Sequence, residues 1–228
     1  MRQIIRLLSV AARSKREIFA VTYCPTTKEQ FCSIRRRSAV DAVATLVTIC
    51  EREWNKGRCV GAVCMDVQAA FPSVNPACMT RRLRECRLDE DVVRWVRDFM
   101  SNRTVSMVVG GEEQDPVDAT SGLPQGSPIS PLLFALYIGG LHEHMDRLYP
   151  VVAGLSFADD VTWIASGNSV REASDVLGRA ARLPVQWGQR NAATFEIGKT
   201  EAILLSKNRR HWKEKTSEGV RIGKNTIG

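Results

Sequence analysis

Asp159 and Asp160 stand side by side between two apolar, β-prone runs, Val151 to Phe157 and Val161 to Ala165. This is the pattern of a hairpin that carries its acids at the turn. Two adjacent carboxylates repel, and burying them without a counter-charge is costly. A polar turn dressed with Asp is the commonest use of such a pair. The sharper alternative is half of a divalent-metal site, with Mg²⁺ or Mn²⁺ held by carboxylate oxygens. It requires a third carboxylate on a neighbouring strand. Arg58 to Val67 (RCVGAVCMDV) supplies one, because this small, apolar stretch is too short for a typical helix and reads as a buried strand ending in Asp66.

The elements that must bring Asp66 to the hairpin follow from local signals. Ser38 and Asp41 have nearly the spacing of a capping box, and apolar positions 40, 43, 46, 47, 50 and 54 then recur at helical intervals up to Gly57. Asn75-Pro76 opens a helix to about Arg87, and a second helix runs from Asp91 to Met100. Thr104 to Val109, Gly110-Gly111 and Val117 to Thr120 predict a hairpin. Ser130 caps and Pro131 starts a strongly apolar helix. Ser169 to Asn191 reads as helical, with Pro184 expected to kink or break it. Lys199-Thr200 enters a strand, Glu201 to Leu205. With the helical insert of residues 75–100 and the first hairpin set aside, the order from residue 58 is strand, helix, strand, strand, helix, strand. That is an α+β, ferredoxin-like split β-α-β arrangement, with two helices on one face of an antiparallel sheet. It allows the Asp66 strand to lie beside the Asp159 hairpin.

Composition narrows the partners. The 228 residues carry a net charge of +7 and a sequence pI near 9.2, with basic clusters at 35–37, at Arg81, Arg82, Arg84 and Arg87, and across 207–215. Solvated faces account for most such runs, but several in one basic chain point to a polyanion, with nucleic acid the leading candidate. Seven cysteines include no Cys-x-x-Cys pair and lie far in sequence from the three histidines. Free thiols in a reducing, intracellular setting (cytoplasm and nucleus) fit this better than a zinc module. No apolar run approaches a membrane span, so no membrane partner is expected. The first sixteen residues hold Arg, Lys and Ser without an acid, a composition shared by mitochondrial transit peptides.

Three carboxylates on adjacent strands can hold two divalent cations about 3.5–4 Å apart, an arrangement suited to in-line displacement at phosphorus. Four stretches then carry a resemblance. They are Met65-Asp66-Val67-Gln68-Ala69-Ala70-Phe71, Gly122-Leu123-Pro124-Gln125-Gly126-Ser127-Pro128 continuing to Phe134, Phe157-Ala158-Asp159-Asp160 and Lys199-Thr200-Glu201. In this order they resemble palm motifs A to D of reverse transcriptases, most closely those of non-LTR, LINE-like retrotransposons of fungal type. Gln30-Phe31 to Ala39 resembles the segment just before the palm.

The resemblance implies an RNA-directed DNA polymerase that joins dNTPs to a DNA primer on an RNA template, using two Mg²⁺ or Mn²⁺ ions. Asp66, Asp159 and the Val67 carbonyl would be metal ligands and Asp160 a supporting acid. Phe71 would be the steric gate against a ribonucleotide 2′-hydroxyl, or else a core ring. Gln125 and Gly126 would line the nucleotide and template pocket, and Lys199 would protonate the departing pyrophosphate, or else be a solvated charge. By the same likeness, residues 1–37 are a basic remnant of the fingers, 38–206 the palm with partial fingers helices, and 207–228 a basic tail ending before primer grip and thumb. A longer retroelement chain is then expected to supply thumb and endonuclease. One departure stands out: Pro72 occupies a position usually held by Asp or Asn, and it removes a backbone donor beside the metal strand. Two other readings stay open, namely an inactive, truncated remnant that binds RNA or DNA through its basic surface, and an RNA-directed RNA polymerase.

Overall fold

Ser38 caps the first helix, α1 (Ala39–Trp54), its hydroxyl oxygen accepting the Asp41 N–H at 3.3 Å and donating to the Asp41 carboxylate at 2.7 Å. The structure, a computed structural model, describes residues 28–32, 34, 36–119, 121–214, 220–222 and 225–227. The transit-like composition of residues 1–16 and Arg35 of the basic cluster lie outside them. After α1 come β1 (Cys59–Gln68), the single turn α2 (Ala70–Ser73), α3 (Pro76–Glu85) and α4 (Glu90–Met100). Four short strands follow, β2 (Arg103–Val105), β3 (Val108–Val109), β4 (Glu112–Glu113) and β5 (Val117–Ala119). Pairing of β2 with β5 and of β3 with β4 makes the expected hairpin around Gly110-Gly111. Next are α5 (Ser130–Leu148), β6 (Ala153–Phe157), β7 (Asp160–Gly167), α6 (Val170–Ala180), α7 (Arg182–Asn191), β8 (Thr194–Phe195) and β9 (Glu201–Leu205).

The main sheet has the order β6-β7-β1, with β9 and β8 pairing successive parts of the far side of β1, and all these pairs are antiparallel. The split β-α-β order therefore holds, with β8 as an added strand. Side chains alternate along β1, as a pleat requires. Val63, Met65 and Val67 enter a large core with α3, α4, α5 and α6, where Leu133, Phe134, Leu136, Ile138 and Leu141 make α5 apolar on nearly every side. Val60 and Ala62 point the other way and meet Phe31, Cys50, Leu155 and Ile164 under α1. Helices thus cover both faces of the sheet. Gly61 permits the close packing on the first face, since a Cβ there would come within 2.7 Å of the Leu177 methyl on α6.

Four local expectations change. The buried stripe of α1 runs through Cys50 and Glu53, while Val40, Val43 and Val47 remain exposed. Glu53 tolerates burial because Arg58, Lys56 and Arg52 reach it at 3.0, 2.8 and 3.2 Å and Ser166 donates at 3.0 Å. Ser130 is the first residue of α5 rather than its cap, and its hydroxyl donates to the Pro124 carbonyl at 2.6 Å. The 169–191 helix breaks at Ala181, upstream of Pro184, leaving the proline in the first turn of α7 where no intrahelical N–H is required. The segment expected as a basic tail carries α8 (Arg209–Glu214) and the pair β10 (Val220–Ile222) and β11 (Asn225–Ile227), with Val220 buried in the large core.

Candidate active site

Because β1 and β7 are antiparallel and in register from Cys59↔Gly167, their last rung sets Asp66 opposite Asp160. Cross-strand partners share a face, so the two carboxylates stand together on the α1 side of the sheet, beyond the end of the small apolar core. Asp159 adjoins them in the turn, and its carbonyl accepts the Val67 N–H at 3.4 Å. Asp66 and the 159–160 turn, distant in sequence, therefore meet as the strand order allows, and the Val67 N–H binds the turn. Lys199, at the end of a 3₁₀ turn leading into β9, puts Nζ 3.8 Å from Asp66 Oδ2.

The electrostatics are those of crowded acids. Burial, then the charges of Asp159 and Asp66, push the Asp160 carboxyl above its ordinary value. Negative charge is in excess at the turn and Lys199, exposed and at the edge, offsets only part of it. Among the described residues no three His, Cys, Asp or Glu side chains already form a closed ligand set. The donors present are hard carboxylate oxygens on two adjacent strands, which suits Mg²⁺ or Mn²⁺ rather than a soft metal.

The turn is held from outside by a residue whose role was not legible in the sequence. Gln30 is 1% exposed, and its Oε1 accepts N–H bonds from Phe31, Cys32 and Ala158 at 3.1, 3.0 and 3.2 Å. Its Nε2 donates to the Ala158 carbonyl at 3.5 Å. Ala158 has φ +55°, a left-handed conformation unfavourable for a residue with a Cβ, and the Gln30 amide binds both of its backbone groups. The strap is itself fixed, since Phe31 donates to the Ser156 carbonyl and Ser156 to the Glu29 carbonyl, both at 2.8 Å. Arg37, from the basic cluster, serves the same strap by donating to the carbonyls of Lys28 and Gln30. A bridge this distant leaves no trace in local periodicity. The available signal was the resemblance of Gln30-Phe31 to Ala39 to the segment before the palm, which gives Gln30 no role of its own.

Phe71 and the glycine-rich loop form a second unit. Ala69, at φ +47°, turns the chain sharply after β1 and starts α2, which carries Phe71. The half-buried Phe71 ring packs on Phe134 of α5 at 5.3 Å between centroids. Its carbonyl accepts the Leu123 N–H at 2.7 Å, and the Val74 carbonyl accepts that of Gly122 at 3.0 Å. Pro72 fits because α2 is a single turn, where a missing donor costs nothing. Gly122 then lies against it at φ +82°, and a Cβ there would meet Pro72 backbone atoms at 2.6 Å. Gln125 and Gly126 form the exposed turn of this loop, with Gly126 at φ +83°. Their loop is joined to α2 through the bonds of Gly122 and Leu123. Beside Asp160, a shallow groove of about 130 Å³ is lined by Ala42, Val43, Leu46, Leu155 and Phe157.

The sequence matches a family model described as reverse transcriptase (RNA-dependent DNA polymerase) over residues 1–221. A retrovirus-related Pol polyprotein from type-1 retrotransposable element R1 of Bradysia coprophila is 30% identical over 191 residues, covering 82% of this chain and 17% of the relative. The corresponding polyprotein of element R2 from Popillia japonica is 26% identical over 114 residues, 46% of this chain and 19% of the relative. This chain thus spans less than a fifth of the length of either. Among solved structures, an apo telomerase from Candida tropicalis truncated from its C-terminal domain aligns with TM-score 0.66 and 13% identity, over 89% of this chain and 41% of that one. A telomerase from Candida albicans in complex with a TWJ fragment of telomeric RNA gives 0.65 and 9%, over 89% and 35%. At these identities the likeness is one of fold, and it is the palm fold that the motif resemblance implied, consistent with the split β-α-β order. The polyprotein relatives come from non-LTR elements, as the motifs suggested, and neither bears on the narrower likeness to fungal-type elements. With a match running from residue 1 to residue 221 over a palm-type sheet, this chain belongs to the reverse transcriptase family.

Proposed function

We propose that the chain is the nucleotidyl-transfer core of an RNA-directed DNA polymerase, extending a DNA primer along an RNA template from dNTPs within a longer Pol polyprotein. The observation that carries this reading is the Asp66–Asp160 rung with Asp159 beside it. Asp66, Asp159 and the Val67 carbonyl are the groups that would hold two Mg²⁺ or Mn²⁺ ions, with Asp160 supporting them. Such ions, when bound, favour the primer 3′-oxyanion and neutralise charge on the phosphates.

The chain's own residues do the rest. Gln30 and the Val67 N–H hold the 158–159 turn, so the carboxylates need little reorganisation on binding. Phe71, braced by Phe134, closes the sugar side of the nucleotide pocket against a 2′-hydroxyl. Gln125 and Gly126 line that pocket with backbone free of a Cβ at residue 126. Lys199, exposed and 3.8 Å from Asp66, would give a proton to the departing pyrophosphate.

Primer extension on an RNA template with dNTPs and Mg²⁺, run for the natural chain and for Asp159→Ala, tests the reading. The expected result is extension that falls about 10²- to 10³-fold or more in the variant, the scale of losing a principal electrostatic group. Salt-sensitive RNA binding without extension in either protein would instead support the remnant reading.

A further inference from the structure

A groove of about 490 Å³ opens between α3, α5 and α7, on the side of the sheet facing away from the carboxylates. Its charges do not balance. Arg82 is buried and forks Glu143 with bonds of 2.8 and 2.7 Å, while its NH1 lies 3.5 Å from Glu85. Arg81 reaches Glu85 at 3.7 Å and donates to the Asn191 side chain at 2.6 Å. The two acids of the groove are therefore met by two arginines, leaving Arg147 and Arg190 in excess. Among the described residues neither has a carboxylate within ion-pair distance. Asp146, next to Arg147 in the chain, is taken by Lys28 at 2.6 Å.

Two further features make this a built site rather than a charge run. Arg147 contacts His144 through Nδ1, and burial followed by the charges of Arg147 and Arg190 holds the His144 imidazole below its ordinary value. Protonation of the histidine is thus disfavoured, which leaves the positive potential chiefly to the two guanidinium groups. Trp187, half-buried, forms an aromatic wall, fixed edge-on by Tyr137 at 5.5 Å, whose phenol donates to the Asn191 carbonyl. Planar guanidinium groups grip phosphate oxygens two at a time, and an adjacent indole gives a base a surface to stack on.

We propose that this groove is a second nucleic-acid contact, in which Arg147 and Arg190 hold the phosphate backbone of a single-stranded RNA segment and Trp187 stacks one of its bases. Only the choice of RNA as the strand rests on the polymerase reading. Since the groove and the carboxylates lie on opposite sides of the sheet, the strand held here is a stretch outside the catalytic cleft.

Fluorescence anisotropy of a labelled 12-nucleotide oligouridylate, measured over a salt series without divalent ions, tests this directly. Arg147→Glu/Arg190→Glu is expected to bind roughly tenfold more weakly at 0.1 M salt, and its log–log salt slope to be shallower by about 1.4, the share of two single-strand phosphate contacts. Arg94→Glu/Arg97→Glu on the outer face of α4 makes the same change in net charge and is expected to move the slope by less than half as much. Trp187→Leu is expected to weaken binding about fivefold or more with the slope retained, the scale of one stacked base. Should the reversed charges block folding, as read by the thermal melt, Arg147→Gln/Arg190→Gln carries the same expectation. Equal effects from the two charge-matched pairs would overturn the proposal. So would displacement of the RNA by polyglutamate as effective as by unlabelled RNA, which would assign the groove to an acidic protein. An inactive protein that still binds through Arg147 and Arg190 would sink the polymerase reading alone. An active one whose groove variant binds like the natural chain would sink this proposal alone.

Discussion

Replacing Gln30 with methionine, which keeps the length of the side chain and removes its amide, is expected to cost catalysis as well as stability. The substitution deletes four hydrogen bonds. Phe31 keeps its bond to the Ser156 carbonyl, so that donor remains satisfied. The principal loss is the pair of bonds to Ala158, and at about 1 kcal/mol each this amounts to roughly 2 kcal/mol. Methionine fills most of the vacated space, so the cavity contribution is small. The turn loses what offset the left-handed conformation of Ala158, itself worth about 1 kcal/mol or more, and can relax with Asp159 in it. A displacement near 1 Å in a catalytic constellation costs up to about 10²-fold in rate. Primer extension at saturating Mg²⁺ is therefore expected to fall about 10- to 100-fold, with the half-saturating Mg²⁺ concentration rising, while thermal unfolding shifts down by about 4–8 °C. Ala158→Gly in the Gln30→Met background should recover part of the loss, because glycine adopts the positive φ without strain. If Gln30→Met melted several degrees lower yet extended primers at the natural rate and Mg²⁺ dependence, Gln30 would be a stabilising residue only and its positioning role would be wrong.

Phe71→Ala should narrow the preference for dNTPs over rNTPs by at least about tenfold in single-nucleotide incorporation; an active variant with unchanged sugar preference would remove the gate assignment. Gly122→Ala forces a Cβ against the Pro72 backbone at a positive φ, so a loss of about 2 kcal/mol or more is expected, and denaturant unfolding with an unmoved midpoint would contradict that packing. Acid should destabilise the fold in two steps. Burial lowers His142 to about 4 from its ordinary 6.5, so its contribution is complete above the upper value and is lost as pH falls between the two. Glu53 is held near 2, chiefly by its bond from Lys56, so its contribution is complete above about 4.5 and disappears as pH falls toward 2. Because Arg52 and Lys56 are largely exposed, Glu53 is worth about 1–3 kcal/mol, and Glu53→Gln should flatten the lower step in melts taken from pH 5 to pH 2. A lower step of unchanged size in that variant would show that another acid carries it.

The chemistry and the frame were written locally. Asp159-Asp160 between β-prone runs, the apolar strand ending at Asp66, and Asn75-Pro76 each act over a few residues, where turn preference, side-chain period and capping leave little choice. Their order then fixed the split β-α-β topology, because so few connections join such elements without crossing. What stayed hidden depends on partners distant along the chain. The helix α1 hides Glu53 and exposes three valines because of where Arg58 and Ser166 arrive from the sheet, which no helical period encodes. Gln30 becomes a strap on the acidic turn only once β6 lies beside it, and Pro72 becomes harmless only once α2 proves to be a single turn capped by the Gly122 loop. Sequence pattern thus decided which groups are present and in what order. Tertiary packing decided which of them touch, since contact between distant segments is set by how whole elements dock and not by the residues next to either one.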